Sequence, residues 1–527
     1  MNSLRTFVYS IRYGHEEGLA QGASARWLTV IVLVIISLGA LFRIYDVANL
    51  YLDSHAERQA QVAMVARNLQ LDGLNWWCPR LDIFGPGESC HLLEFPFIHS
   101  IAAALYMVVG ESAVVGRMLA VAFSVASIGF LYGIARYHLS SLGIIVALSI
   151  YSFAPFSVYF GRTFMAEATM MFFSLGALYF IMKYFECRTG YFYCLGVVFS
   201  AFALLVKPTG AVILFPILAA WVAAYGFSGL RRIDFIGFMS VSIAPFAAWT
   251  IYSSITPNQD LPDSWNLFYV VFQRDNPIAM LVDHRFYTQV GGALIVGYLT
   301  PVGAALASIG TLSQYRRDGT SMMIYFWVIG AAAYLIILAG PNIGHVYYQL
   351  PIFPLGCLLA GLGAESVFRS KQYHRLVSLR AGMVMLLCMC VVLITVYGYM
   401  YVRLASYLYD TERRMPYAER VSEAVKERIT VDEWFIINQP GASTSVVTYL
   451  ANRDSISLRL NGGTEDIEAF ERLRNRGAAL FVAVDTSYSS GTEETQGNQA
   501  FWYHLNENYD LVEIQAGYIV FDLRERS

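Results

Sequence analysis

The sequence predicts a polytopic α-helical membrane protein with a soluble α/β tail, and three observations carry the prediction. Hydrophobic residues make up 56% of the 527-residue chain and mean hydropathy is +0.48, which places it among proteins that cross a bilayer many times. Apolar runs recur at the roughly 17 to 25 residues that a spanning helix needs. Charge is unevenly placed: residues 410–527 hold 20 Asp/Glu and 12 Lys/Arg, against 75 charged residues in the whole chain, so the body is membrane-like and the tail is soluble and mildly acidic. The formal net charge of −3, with no basic face or basic domain, gives no support to a nucleic-acid partner.

Residues 1–26 read as a cytoplasmic segment carrying Arg5, Arg12 and Arg26. The apolar run that follows lacks a small-residue cleavage site, so it reads as a retained signal anchor. Within the membrane body, 27–403, eleven spans are expected, in a range of eleven to thirteen. They lie near 27–44, 115–137, 141–160, 166–184, 190–206, 209–228, 234–255, 291–313, 321–339, 348–366 and 381–402. The stretch "FPFIHSIAAALYMVVG", 95–110, is apolar but short. Basic loops at Arg136/His138, Lys183/Arg188, Arg231/Arg232, Arg316/Arg317 and Arg369/Lys371/Arg375 all fall inside only if 95–110 does not cross, so it reads as a juxtamembrane or re-entrant helix at the outer surface. The expected topology has a cytoplasmic N-terminus, a large first outer loop at 45–114 and an extracytoplasmic tail, in the cell (inner) membrane.

The tail, 404–527, reads as an α/β domain. "EWFIIN", "SISLRL" and "AALFVAV" have strand character, "STSVVTYLANR" and "TEDIEAFERLRNRG" helix character, and the end "YDLVEIQAGYIVFDL" suggests two antiparallel strands around a Gly turn. No phosphate-binding Gly-rich loop follows any of these strands, so no nucleotide is assigned.

Seven cysteines are scattered, without CxxC or zinc-like Cys/His spacing. Cys78 and Cys90 share the first outer loop, where an oxidising compartment would let them close a disulfide.

Ionisable groups at the edge of a membrane are expensive to keep there and are candidates for chemistry. In "NLYLDSHAERQAQVA", Asp53 and Glu57 stand at i and i+4, followed by Arg58; on a helix the two carboxylates would share a face, which suits general-base work beside an anion site. Against this stands the plain alternative of a helix cap or solvated loop carboxylate. In "VYFGRTFMAEATMMFF", Arg162 and Glu167 interrupt an apolar stretch and are expected to face one polar cavity. In "LLVKPTG", Lys207 ends a span where Pro208 stops the helix; a snorkelling lysine is the ordinary reading, but this one falls on the outer side. In "GHVYYQLPIFP", His345 stands beside Tyr347 and Tyr348 at an outer helix mouth, where tyrosines alone would be unremarkable. Asp82, Glu88, His91 and Glu94 lie in the first outer loop, and Glu94 leads directly into the surface helix as a substrate-binding candidate, like Tyr347 and Tyr348. Carboxylates with Lys, Arg and His at one membrane surface suit transfer from a lipid-linked phosphate: a carboxylate takes the acceptor proton and cations, here Arg58, Lys207, His345 and Arg162, hold the departing phosphate.

The motif order "RIYDVANLYLDSHAERQA", "EFPF", "GRMLAVAFSVASIGFLYGIARY", "APFSVYFGRTFMAEATMMFF", "LLVKPTG" and "HVYYQLPIFP" resembles the GT-C glycosyltransferases, the group that includes dolichyl-phosphate-mannose protein mannosyltransferases and bacterial lipid A aminoarabinose transferases, over residues 27–402. The resemblance implies a polyprenyl-phosphate sugar donor, a glycan, lipid or protein acceptor, an extracytoplasmic site and inversion at the anomeric carbon. It also implies that Asp53 is the catalytic carboxylate, Glu167 a second acidic residue, and Lys207, Arg58 and His345 the donor-phosphate ligands. The resemblance implies work without a cofactor or metal, and Asp53 with Glu57 does not by itself make a divalent site, but a divalent metal stays open. Departures are present: Ser54 follows Asp53 where relatives have Asp-Glu, Glu94-Phe95-Pro96 stands where they often have Lys-Pro-Pro, and the second acidic position is Glu. A transporter or flippase, or an oligosaccharide ligase, for polyprenyl-linked saccharides is the alternative; no internal repeat of the transporter kind is visible.

Overall fold

The computed structural model describes residues 23–87, 90–92, 94–256, 277–313, 319–370, 398–410, 417–438, 444–460, 464–484, 499–515 and 517–524. The chain enters along α1 (Ala23–Ile44), whose segment from Trp27 to Phe42 has no charge to interrupt it. The first loop carries α2 (Ala56–Leu71) and α3 (Phe97–Val109), which pack on each other; α2 buries most of its length although its sequence is polar on average. The bundle continues with α4 (Ala113–Ala135), capped by the Ser112 hydroxyl on the Val114 N–H, then α5 (Ser141–Phe153), α6 (Pro155–Phe160), α7 (Ala166–Cys187), α8 (Gly190–Val206), α9 (Leu214–Tyr225) and α10 (Ile233–Ile255). It is completed by α11 (Thr300–Ser313), α12 (Gly319–Ile337) and α13 (Phe353–Arg369).

Among the described residues six helices are long and apolar enough to cross a membrane: Arg26–Ile44, Ala113–Ala135, Ala166–Cys187, Pro208–Tyr225, Ile233–Ile255 and Val346–Arg369. A seventh is counted if Phe286–Tyr298 and α11, bent by 102° relative to each other, make one span. The protein is therefore an integral membrane protein by these helices, and among the described residues only six or seven of the expected eleven spans are complete. The reasons are local. The 141–160 run is divided because Pro155 forces Ala154 out of helical geometry, to φ −61 and ψ 136. The 291–313 run bends at Thr300, which precedes Pro301 and has φ 66. Gly190–Val206 and 321–337 are apolar but short, and most of 381–402 lies outside the described residues. The 95–110 stretch forms the short α3 lying against α2.

Two glycines bring α11 and α13 together. A Cβ on Gly310 would stand 1.9 Å from the Leu359 carbonyl oxygen, and one on Gly363 1.9 Å from that of Leu306, so the helices touch backbone to backbone.

Beyond α14 (Ala418–Arg428), a five-stranded mixed sheet forms from β1 (Trp434–Asn438), β2 (Ser455–Ser457), β3 (Ala478–Val484), β4 (Asp510–Gln515) and β5 (Tyr518–Asp522), in the order β2-β1-β3-β5-β4. β1 pairs in parallel with β2 and β3, and β5 runs antiparallel to β3 and β4. The helices α15 (Thr444–Ala451), α16 (Thr464–Asn475) and α17 (Gln499–Asn508) accompany it. The sheet meets the membrane body directly. α15 packs on α2, and the first loop adds a short antiparallel bridge to β2 through Phe84 and Ile456, with Gly85 N–H donating to Ser455 O at 2.8 Å and Ser455 N–H to Asp82 O at 2.7 Å. A disulfide between Cys78 and Cys90 closes that loop.

Candidate active site at one end of the bundle

After α1 the chain turns sharply, and His55 at φ 57 sets the entry into α2. Asp53 therefore lies before the helix and does not share a face with Glu57, contrary to the i, i+4 expectation. Asp53 is fully buried. Its Oδ1 accepts from Gln59 Nε2 at 2.7 Å and Arg117 Nη2 at 3.2 Å, and its Oδ2 accepts from Arg162 Nη2 at 2.5 Å. The two arginines, themselves fully buried, also donate to the Asp46 carbonyl, and Arg162 lies over the Tyr409 ring at 4.3 Å. One carboxylate thus joins the turn after α1, the N-terminal end of α4 and the turn after α6. A charge so deep is tolerable only when paired and hydrogen-bonded, as it is here.

A second cluster lies among the ends of α2, α7 and α8. Arg58, in the first turn of α2, pairs with Glu94 at 2.7 Å. Lys207, held where Pro208 ends α8, pairs with Glu167 in the first turn of α7 and lies 3.8 Å from Glu94. Beneath the Lys207 ammonium lie the rings of Tyr347 and Tyr348, at 4.9 and 5.3 Å, and His345 stacks on Tyr347 at 5.3 Å. The edge of His55 meets Tyr347 at 5.0 Å. Burial pushes the Glu94 carboxyl up, but Arg58 and then Lys207 draw it down to about 2, so it stays ionised.

The cluster is wired to the sheet unit. Arg58 Nη1 donates to Gln61 Oε1 at 3.1 Å, Gln61 Nε2 to Ser445 Oγ at 3.2 Å, and Ser445 Oγ to Glu57 Oε1 at 3.4 Å. Burial pushes the Glu57 carboxyl up to about 7, against the Ser445 hydroxyl and Arg58, which favour its ionised form.

Of the sequence candidates, Arg58, Glu94, Glu167, Lys207, His345, Tyr347 and Tyr348 come together. Arg162 does not join Glu167 in one cavity; its guanidinium is spent on Asp53. Cys78 and Cys90 are bonded, and Glu88 lies outside the described residues. Asp82 is buried and accepts from Asn68 at 2.6 Å, at the sheet junction and away from the cations. Among the described residues no three His, Cys, Asp or Glu side chains are grouped to hold a metal ion. Sequence reasoning passed over Arg117, Gln59, Gln61, Ser445 and His99. Arg117 carried a signal, as an arginine inside the apolar run of α4; the polar partners carried none.

Residues 94–252 match the family model described as dolichyl-phosphate-mannose-protein mannosyltransferase. The crystal structure of ArnT from Cupriavidus metallidurans bound to undecaprenyl phosphate is similar with a TM-score of 0.66 and 15% identity, over 95% of this chain and 99% of that one. The chain has a GT-C fold. This fold is shared with the archaeal oligosaccharyltransferase AglB from Archaeoglobus fulgidus in complex with an inhibitory peptide and a dolichol-phosphate, at a TM-score of 0.57 and 12% identity over 86% of this chain and 69% of that one. The apo form of ArnT matches the GT-C fold of this chain almost equally, at 0.65 and 16% identity. No sequence among the curated proteins matches the chain. The matched region contains Glu94, Arg117, Arg162, Glu167 and Lys207, so most of both charged clusters falls within it.

Proposed function

We propose that the protein is an inverting glycosyltransferase that moves a sugar from a polyprenyl-phosphate donor to a hydroxyl of a glycan, lipid or protein on the extracytoplasmic side. The observation that carries the reading is the pairing of Arg58, in α2, and Lys207, just past the end of α8, around Glu94 at the rim of a GT-C bundle. In this reaction the acceptor oxygen attacks the anomeric carbon, the bond from that carbon to the phosphate oxygen breaks, and its electron pair leaves with the phosphate. Two fixed cations facing that phosphate stabilise the charge as it develops. Tyr347, Tyr348 and His345 form the wall beside Lys207 and orient the donor. The proton acceptor in this reading is Glu57, whose carboxyl titrates near neutrality as a general base should. Asp53, with both oxygens already engaged by Arg117, Arg162 and Gln59, serves as a positioning residue that holds the turn before α2. The reading calls for no cofactor.

The test is the lipid that the protein carries. Mass spectrometry of detergent-purified protein is expected to find polyprenyl phosphate with the wild type, and at least tenfold less with Arg58→Ala and Lys207→Met. Equal retention in all three would remove the two cations from the donor site.

A further inference from the structure

The charges around Glu94 already balance: Arg58 and Lys207 stand against Glu94 and Glu167. A phosphate brought to the two cations adds a negative charge that a buried site tolerates poorly, so a new positive charge has to accompany it. Two buried histidines, His91 and His99, line the site, and the geometry singles out the second. His99, in the first turn of α3, is 6% exposed and lines the same small cavity as Arg58, Gln61 and Glu94. Its Nδ1 is enclosed and has no hydrogen-bond partner among the described residues. The charged and titratable groups facing it are Glu94, Arg58 and His91, with Lys207 behind Glu94.

We propose that His99 is the charge-compensating residue of the phosphate site: as a phosphate-headed lipid draws Arg58 away from Glu94, the His99 imidazole takes one proton from solvent and becomes the new cationic partner of Glu94. The proposal rests on the polyprenyl-phosphate reading above. In the lipid-free protein burial, together with Arg58 and in spite of Glu94, lowers the His99 imidazole to about 4, so it is neutral near pH 6. Exchanging the neighbouring guanidinium for an anion raises it. Between the two values binding takes up a proton, and affinity falls as pH rises, by at most about tenfold per unit.

Isothermal titration of the full-length protein with undecaprenyl phosphate, at pH 6 in buffers of different ionisation enthalpy and with EDTA present, measures the proton count. Wild type is expected to take up about one proton more than His99→Gln; the lipid's own ionisation cancels in that difference. Equal uptake in the two overturns the proposal, as does a difference that appears only when magnesium or manganese replaces EDTA. Should His99→Gln fail to fold, the imidazole resonance assigned to His99 in the wild type decides, since it must move to the imidazolium position on adding lipid; a static His99 signal overturns the proposal. Uptake produced equally by inorganic phosphate would assign the site to free phosphate. Failure of the wild type to bind undecaprenyl phosphate at any pH would instead overturn the donor reading, and this proposal with it.

Discussion

At the scale of single residues, two carboxylates four positions apart have been given opposite work by their surroundings. Asp53 is sealed between two guanidiniums, and removing its charge leaves two buried cations half-partnered. Asp53→Asn is expected to lower stability by about 3 to 5 kcal/mol, the usual cost of breaking a buried ion pair from one side, read as a lower melting temperature in detergent. An Asp53→Asn protein that melts with the wild type and is merely inactive would return the base role to Asp53. Glu57 is raised rather than depressed, to about 7. An acid raised in the folded state binds more protons there than in the unfolded chain, so its contribution is fully present below about 4.5 and is lost as pH climbs toward 7. Glu57→Gln should therefore gain on the wild type in thermal stability at pH 8 and not at pH 4; equal gaps at both would mean that the carboxyl titrates normally.

At the scale of elements, much was legible because membrane helices write their costs into the sequence. Arg58, Glu94, Glu167 and Lys207 stood out as charges beside apolar runs, and the structure brings them within one cluster. The sharing of a face by Asp53 and Glu57 was not legible, because it assumed a helix that begins only at Ala56, after the left-handed turn at His55. Arg162 was legible as important but not as a partner of Asp53, since that pairing joins residues 109 positions apart. The breaks at Pro155 and Pro301 were written in the chain, but a count of apolar residues does not weigh them. The tightest joint between elements is also a sequence of small residues: Gly363→Ala puts a methyl group into the Leu306 carbonyl, and pushing α11 from α13 should cost about 1 to 3 kcal/mol. A melting temperature unchanged by Gly363→Ala would show that the two helices are free to part.

At the scale of the whole molecule, the cysteines offer a test of the proposed orientation. Cys78 and Cys90 are joined in the first loop, whereas Cys187 at the end of α7 is an exposed free thiol. Disulfides persist in oxidising compartments and thiols in reducing ones. A variant keeping Cys187 as its sole free cysteine should react with a membrane-impermeant maleimide only after the cells are permeabilised; labelling of intact cells would reverse the proposed topology. The buried triad of Asp53, Arg117 and Arg162 carries a further consequence, for biogenesis. Arg117 and Arg162 follow Asp53 by 64 and 109 residues, so during synthesis the acid waits at the ribosome's far side until two later segments have been threaded into the bilayer. Each newcomer is costly to bury until the acid meets it, which makes assembly of the first third of the chain a single cooperative event, closed by a latch that cannot be set early.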